Sequence, residues 1–316
     1  MRTAESEFRF NANIRVEAVF ELPDAASDLR KMTEGWFEDA LAELAGADLN
    51  PFAASLDLTG RSNVLRKSGI PFGEPGELWG SFAVTRNTAK GRKISSSVWS
   101  PRGWQKFLQG VEDVPLGADV RLCRLGADGY PGSPWITLSM RRQYDAPEWV
   151  TFAVDGLSQE FAAPDTSPAV QQRWRNFLDR RLEVAGAEGR ACLYGCIADD
   201  VEVATGRSAF EVALGVFPYE TLPELNHELR GYSWITVCSP GVARQLGGQG
   251  GVESRGAFSA VKPLPGGGLL LQATGDMRAY GSERVRAVYE ALRPVLPAGE
   301  ALSYITHQNI RLVFEG

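Results

Sequence analysis

Phe8-Arg-Phe-Asn-Ala-Asn-Ile-Arg-Val-Glu-Ala-Val-Phe-Glu-Leu22 decides the class of this chain. Phe8, Phe10, Ala12, Ile14, Val16, Ala18, Phe20 and Leu22 alternate with Arg9, Asn11, Asn13, Arg15, Glu17, Val19 and Glu21. A period of two held over 15 residues predicts a strand long enough to cross a whole sheet. Only Val19 interrupts the polar series, so the pattern predicts an apolar face against a core and a wet face opposite. That is the habit of an antiparallel sheet covered on one side.

A helical period follows. Leu29, Met32, Trp36, Phe37, Ala40, Leu41 and Leu44 recur at 3.6-residue spacing, which predicts a helix over 27–46. Strands are predicted near 54–59, 78–86 and 92–99, with Thr59 to Gly76 as a glycine- and proline-bearing loop. A short helix starts at Pro101, and a hairpin joins 118–125 to 134–141. The order then restarts: a strand at 149–162, a helix at 168–185 carrying Trp174 and Phe177, and a strand at 191–198. A segment 209–217, a polar helix or loop over 220–230 and a strand at 231–238 come next. A short helix from Pro240, a hairpin joining 257–263 to 268–274, a helix at 282–293 and a strand at 302–314 complete the chain. The fold class read from this order is α+β: mostly antiparallel sheets, each covered by helices on one face.

The restart suggests duplication. Trp36 corresponds to Trp174, Ser100-Pro101 to Ser239-Pro240, and Pro23 to Pro164, at offsets of 138 to 141 residues. We therefore expect two tandem repeats of a similar unit, 1–146 and 147–316. Each Ser-Pro pair has a mechanical meaning, with the serine capping a helix and the proline in its first turn.

At 316 residues, 44% hydrophobic and 23% charged, the chain has ample material for a core, which excludes wholesale disorder. Lys and Arg number 33 against 39 Asp and Glu, a net charge of −6. An acidic balance gives no nucleic-acid footprint. No stretch approaches a membrane span and the first residues lack a signal-peptide pattern, so we expect a cytoplasmic protein. Cys123, Cys192, Cys196 and Cys238 lack zinc spacing and are expected as buried free thiols.

Catalytic signatures are missing. The two histidines, His227 and His307, are 80 positions apart. His227 lies in a polar stretch and His307 on the predicted last strand, and no nucleophile can be paired with either. Gln245-Leu-Gly-Gly-Gln-Gly250 has the spacing of an acyl-CoA phosphate loop. Its glycines follow a helix instead of opening one, so Gly247 reads as a helix terminator. Lys90-Gly-Arg-Lys93 reads as a solvated hairpin turn, and Gly266-Gly-Gly268 as another. We assign no catalytic, cofactor-binding or metal-binding residue. The densest acidic group at a strand end is Asp199, Asp200 and Glu202, which we take as the candidate partner-binding residues.

The stretch Tyr232-Ser-Trp-Ile-Thr-Val-Cys-Ser-Pro-Gly-Val-Ala-Arg-Gln-Leu-Gly-Gly248, with the later Gly266-Gly-Gly-Leu-Leu-Leu-Gln272, resembles the type VI secretion and polymorphic-toxin immunity proteins. The resemblance covers 231–296. It implies a bacterial, cytoplasmic α+β protein that neutralises a toxin by binding it and catalyses nothing. A basic toxin would suit the net charge. An enzyme with an unrecognised site on the same scaffold, and a structural or assembly protein, are the alternative expectations.

Overall fold

The computed structural model describes residues 13–22, 25–45, 49, 57–59, 69–142, 146, 148–163, 165–202 and 205–299. The parts of the predicted elements at 8–12, 54–56 and 302–314 lie outside these residues, as does His307. The described chain runs β1 (Asn13–Glu21), α1 (Ala25–Glu43), β2 (Leu78–Thr88), β3 (Gly91–Val98), α2 (Pro101–Glu112), β4 (Gly117–Leu125), β5 (Pro131–Arg142) and β6 (Trp149–Leu157). It continues through α3 (Gln159–Ala162), α4 (Ser167–Ala187), β7 (Cys192–Ala198), α5 (Ala209–Leu214) and α6 (Pro218–Thr221). Then come β8 (Ile235–Cys238), α7 (Pro240–Gln245), α8 (Gly248–Glu253), β9 (Ala260–Pro263), β10 (Leu269–Gln272) and α9 (Ser282–Leu292). The class is α+β, and within each of the two compact units every pair of neighbouring strands runs antiparallel.

Two compact units emerge: Glu21–Leu157, and Met1–Phe20 together with Ser158–Gly316. In the first, the strand order is β3-β2-β4-β5-β6. Phe82, Val84, Val120, Leu122, Leu138, Met140, Phe152 and Val154 form its buried helix-side face. Trp36 of α1 stacks on Phe152 at 5.6 Å between centroids, Phe37 on Phe107 of α2 at 5.9 Å, and Phe82 on Phe107 at 5.2 Å. These aromatic pairs seat both helices on one face. Opposite them, register aligns Ser81, Arg121, Thr137 and Asp155 in one row, and Asp119 with Ser139 in the next. Arg141 pairs with Asp119.

In the second unit the order is β1-β7-β8-β10-β9. Lys262 of β9 reaches Asp179 and Glu183 of α4, both at 2.7 Å, and marks the face under that helix. The other face carries Cys192, Tyr194, Cys196, Thr236 and Cys238, which the registers place together. The wet face expected of β1 is not found: Arg15 is 5% and Glu17 1% exposed, and the burial reaches both sides of the strand.

Both tryptophan landmarks are buried. Both serine landmarks cap helices: Ser100 Oγ accepts from the Gly103 N–H at 2.9 Å, and Ser239 Oγ from the Val242 N–H at 3.2 Å. The strand orders differ, however. β8 pairs with both β7 and β10, whereas its counterpart by offset, β3, pairs with β2. Shifting β2 by the same offset lands on α6 and the turns after it. The expected repeat is not confirmed.

Candidate functional site

The site begins with the polar residues of β1. Arg15 Nε donates to Glu17 Oε2 at 2.7 Å. Glu17 Oε1 accepts from Arg230 Nη1 at 2.7 Å, a partner 213 positions along the chain. Arg230 also forks onto Glu211, with Nε to Oε1 and Nη2 to Oε2 both at 2.9 Å. Its Nη2 donates to the Gly206 carbonyl at 2.7 Å, and the guanidinium lies 5.3 Å from the centroid of the Tyr194 ring. Two cations and two carboxylates thus neutralise one another out of water, each nearly fully buried. Burial works against the Arg230 charge, but Glu211 and Glu17 outweigh it and hold the group above its ordinary value.

Local sequence positions Glu211. Ser208 caps α5, and the Glu211 carboxylate reaches back to the Ser208 N–H at 2.8 Å, a reciprocal capping box. Ser208 Oγ donates to the Arg230 carbonyl at 2.6 Å, and the Thr221 hydroxyl donates to Glu211. The network therefore pins α5, α6 and the segment leading into β8 to one another.

Above it opens a hollow of about 320 Å³. Leu214, Val216, Leu229, Pro297 and Ala298 supply apolar wall; Thr221 and Arg230 line it too, and Glu220, Glu224 and Glu228 bring carboxylates to it. Glu224 and Glu228 are exposed. Glu220 Oε2 accepts from the Phe217 N–H at 2.6 Å, which fixes the turn at the wall. Beside the hollow, Phe217 and Tyr219 are 41% and 46% exposed and stack at 5.8 Å with planes 9° apart. Arg207 covers the Phe217 ring at 4.8 Å.

The strand–helix turn Cys238-Ser-Pro-Gly241 supports this wall. A side chain at Gly241 would overlap the Asn226 carbonyl, so the turn carrying Glu224 and Glu228 sits directly on the backbone of α7. Gln245 Nε2 donates to the His227 carbonyl at 3.0 Å and ties the same turn down again. Gly247 is left-handed at φ 86°, as a helix terminator requires, but α8 starts at once from Gly248, where the sequence predicted no helix.

None of the candidate acids Asp199, Asp200 and Glu202 is fully exposed. Asp199 is 4% exposed and Asp200 partly buried. Glu202 is partly buried, accepts from the Thr205 hydroxyl, and pairs with Arg207 Nε at 3.0 Å. Through Arg207 it touches the edge of the aromatic pair. The three carboxylates at the hollow are not among these candidates, although Glu220, Glu224 and Glu228 repeat every four residues directly after Phe217-Pro-Tyr219.

The four cysteines are buried free thiols. Burial pushes Cys123, Cys192 and Cys238 up to about 12, and Cys196 higher. Among the described residues no group of three or more His, Cys, Asp or Glu could hold a metal ion, and no helix is long and apolar enough to cross a membrane. The chain has no significant match among family models, curated proteins or solved structures.

The hydrogen bonding indicates what the arrangement can do. Arg230 is committed to two carboxylates and the Thr221 hydroxyl to Glu211, so neither is poised for proton transfer. An apolar wall with exposed carboxylates suits a long cationic side chain, whose methylenes lie on the wall while its charge meets the acids.

Proposed function

We propose that this chain acts by binding a basic protein, with Phe217 and Tyr219 as surface anchors and the adjoining hollow receiving a lysine or arginine of the partner. One observation carries the reading: an exposed, stacked aromatic pair stands beside a hollow of about 320 Å³ bearing Glu220, Glu224 and Glu228. Aromatic anchors beside a concave surface are the usual makings of a binding hot spot. The net charge of −6 favours association with a basic partner. The resemblance of 231–296 narrows the class further, to neutralisation of a toxin by an immunity protein. A cytoplasmic setting accords with four thiols kept free and buried.

The test uses a photo-crosslinking residue at position 219 in the full chain, in lysate of the native host. A basic protein should be captured by the otherwise unaltered chain and lost when Glu224→Lys and Glu228→Lys are combined. Both glutamates are exposed, so the fold should survive. Capture unaffected by this double reversal would refute the role of the hollow. Turnover of a small molecule bound in it would move the protein to the enzyme class.

A further inference from the structure

We infer that the partner side chain received by the hollow is an arginine, chosen over lysine by the ring of Tyr219. The inference rests on the binding reading above and narrows it. The protein already holds two of its own guanidinium groups by one pairing of groups, carboxylate and aromatic ring. Arg230 is forked onto Glu211, bonded to Glu17 and set 5.3 Å from the centroid of the Tyr194 ring. Arg207 Nε meets Glu202 at 3.0 Å while its guanidinium lies 4.8 Å from the centroid of the Phe217 ring. Lysine is held differently: Lys262 spans Asp179 and Glu183, four residues apart on α4, with no ring against it among the described residues. A pair of acids one turn apart therefore accepts either cation, and the ring makes the difference.

The hollow brings acids that the chain does not itself balance. Glu228 N–H donates to the Glu224 carbonyl at 2.8 Å, so these two exposed glutamates stand one helical turn apart, where like charges repel. Neither has an ion-pair partner among the described residues. Arg230, the cation in the wall, is spent on Glu17 and Glu211.

Tyr219 supplies the ring. It precedes Glu220 on α6, is 46% exposed and has no cation against it among the described residues, whereas Phe217 beside it already carries Arg207. An incoming arginine can lay its methylenes on Leu214, Val216 and Leu229, turn its planar fork to Glu224 and Glu228, and stack that plane on Tyr219. A lysine reaches the same acids with a compact, strongly hydrated point charge that gains less from the ring. The site thus repeats, for a partner's arginine, the combination of groups that the fold applies to Arg230 and Arg207.

Amide NMR of the isotope-labelled full chain tests this with two probes of equal charge, N-acetyl-arginine amide and N-acetyl-lysine amide, at millimolar concentrations. Saturable shifts at Tyr219, Glu224 and Glu228 should give a dissociation constant about threefold or more lower for the arginine probe, as one exposed cation–ring contact supplies. Tyr219→Leu should erase that preference, and because Tyr219 is exposed, circular dichroism should show the variant folded. Combining Glu224→Lys and Glu228→Lys should abolish the shifts with both probes; shifts that persist would place the probes elsewhere and overturn the assignment. Equal constants, a preference for lysine, or a preference that survives Tyr219→Leu overturns the choice of arginine and leaves the binding reading in place. Shifts with neither probe overturn both.

Discussion

At the scale of single residues, Arg230 has the most to lose. It is the shared, buried counter-charge of Glu17 and Glu211, so its removal leaves Glu211 without its ion pair and Glu17 with Arg15 alone. Arg230→Met should cost about 3–5 kcal/mol in a urea titration. Arg230→Lys should recover only part of that, because an ammonium cannot fork onto both carboxylates. Asp276 gives a pH signature. The Arg278 guanidinium, with help from the Gln171 amide at 2.9 Å, holds its carboxyl at about 2, against an ordinary value of 3.8. A depressed carboxylate stabilises the fold above its unfolded pKa, and that contribution disappears as pH falls from 3.8 to about 2. Asp276 is more than a third exposed, so the effect is modest. Thermal melts should show Asp276→Asn losing less stability than the parent across that window; equal losses would place the acid sensitivity elsewhere.

At the scale of elements, the turn into α7 joins stability to the site. Gly241 carries no left-handed strain. It is glycine because the carbonyl of Asn226 occupies the place of a side chain. Gly241→Ala should cost about 1–3 kcal/mol and displace the turn bearing Glu224 and Glu228. Stability and partner binding should therefore fall together, and binding that survives unchanged in the destabilised variant would separate the turn from the site. Trp36 tests the other unit. Its stacking on Phe152 makes it the anchor of α1, and Trp36→Ala should cost about 3–5 kcal/mol by denaturant titration. The helical period around it was legible because α1 rests on its sheet by one continuous stripe. β8 was less legible. The sequence predicts a strand from 231, but pairing starts at Ile235, because Ser233 N–H is taken by Thr236 Oγ1 at 3.0 Å and the Ser233 hydroxyl by the Ile235 carbonyl at 2.7 Å.

At the scale of the molecule, all four thiols lie inside and their ionisation is displaced far above neutrality. A thiol-specific reagent at mildly alkaline pH should find none of them until denaturant is added, since the thiolate is the reactive form. Prompt modification of one equivalent in the native protein would mean that a part of the sheet opens readily. The strand orders of the two units differ even though the helix caps and tryptophans correspond. Correspondence of local landmarks reports how individual helices start and seat; it does not specify which strands become neighbours.

The sequence by itself determined the α+β class, the antiparallel pairing, the serine caps at Ser100 and Ser239 and the burial of the free thiols. Each of these follows from periodicity, capping or composition within one short stretch. Only the tertiary structure decided where the polar side of β1 goes. Alternation says that Arg15 and Glu17 share a side, but whether that side meets water or Arg230 depends on a residue more than 200 positions away. The hollow has the same origin. Its carboxylates repeat every four residues in the sequence, yet only the packing of Asn226 on Gly241 and the folding of Thr221 and Arg230 onto Glu211 give them a concave surface to face.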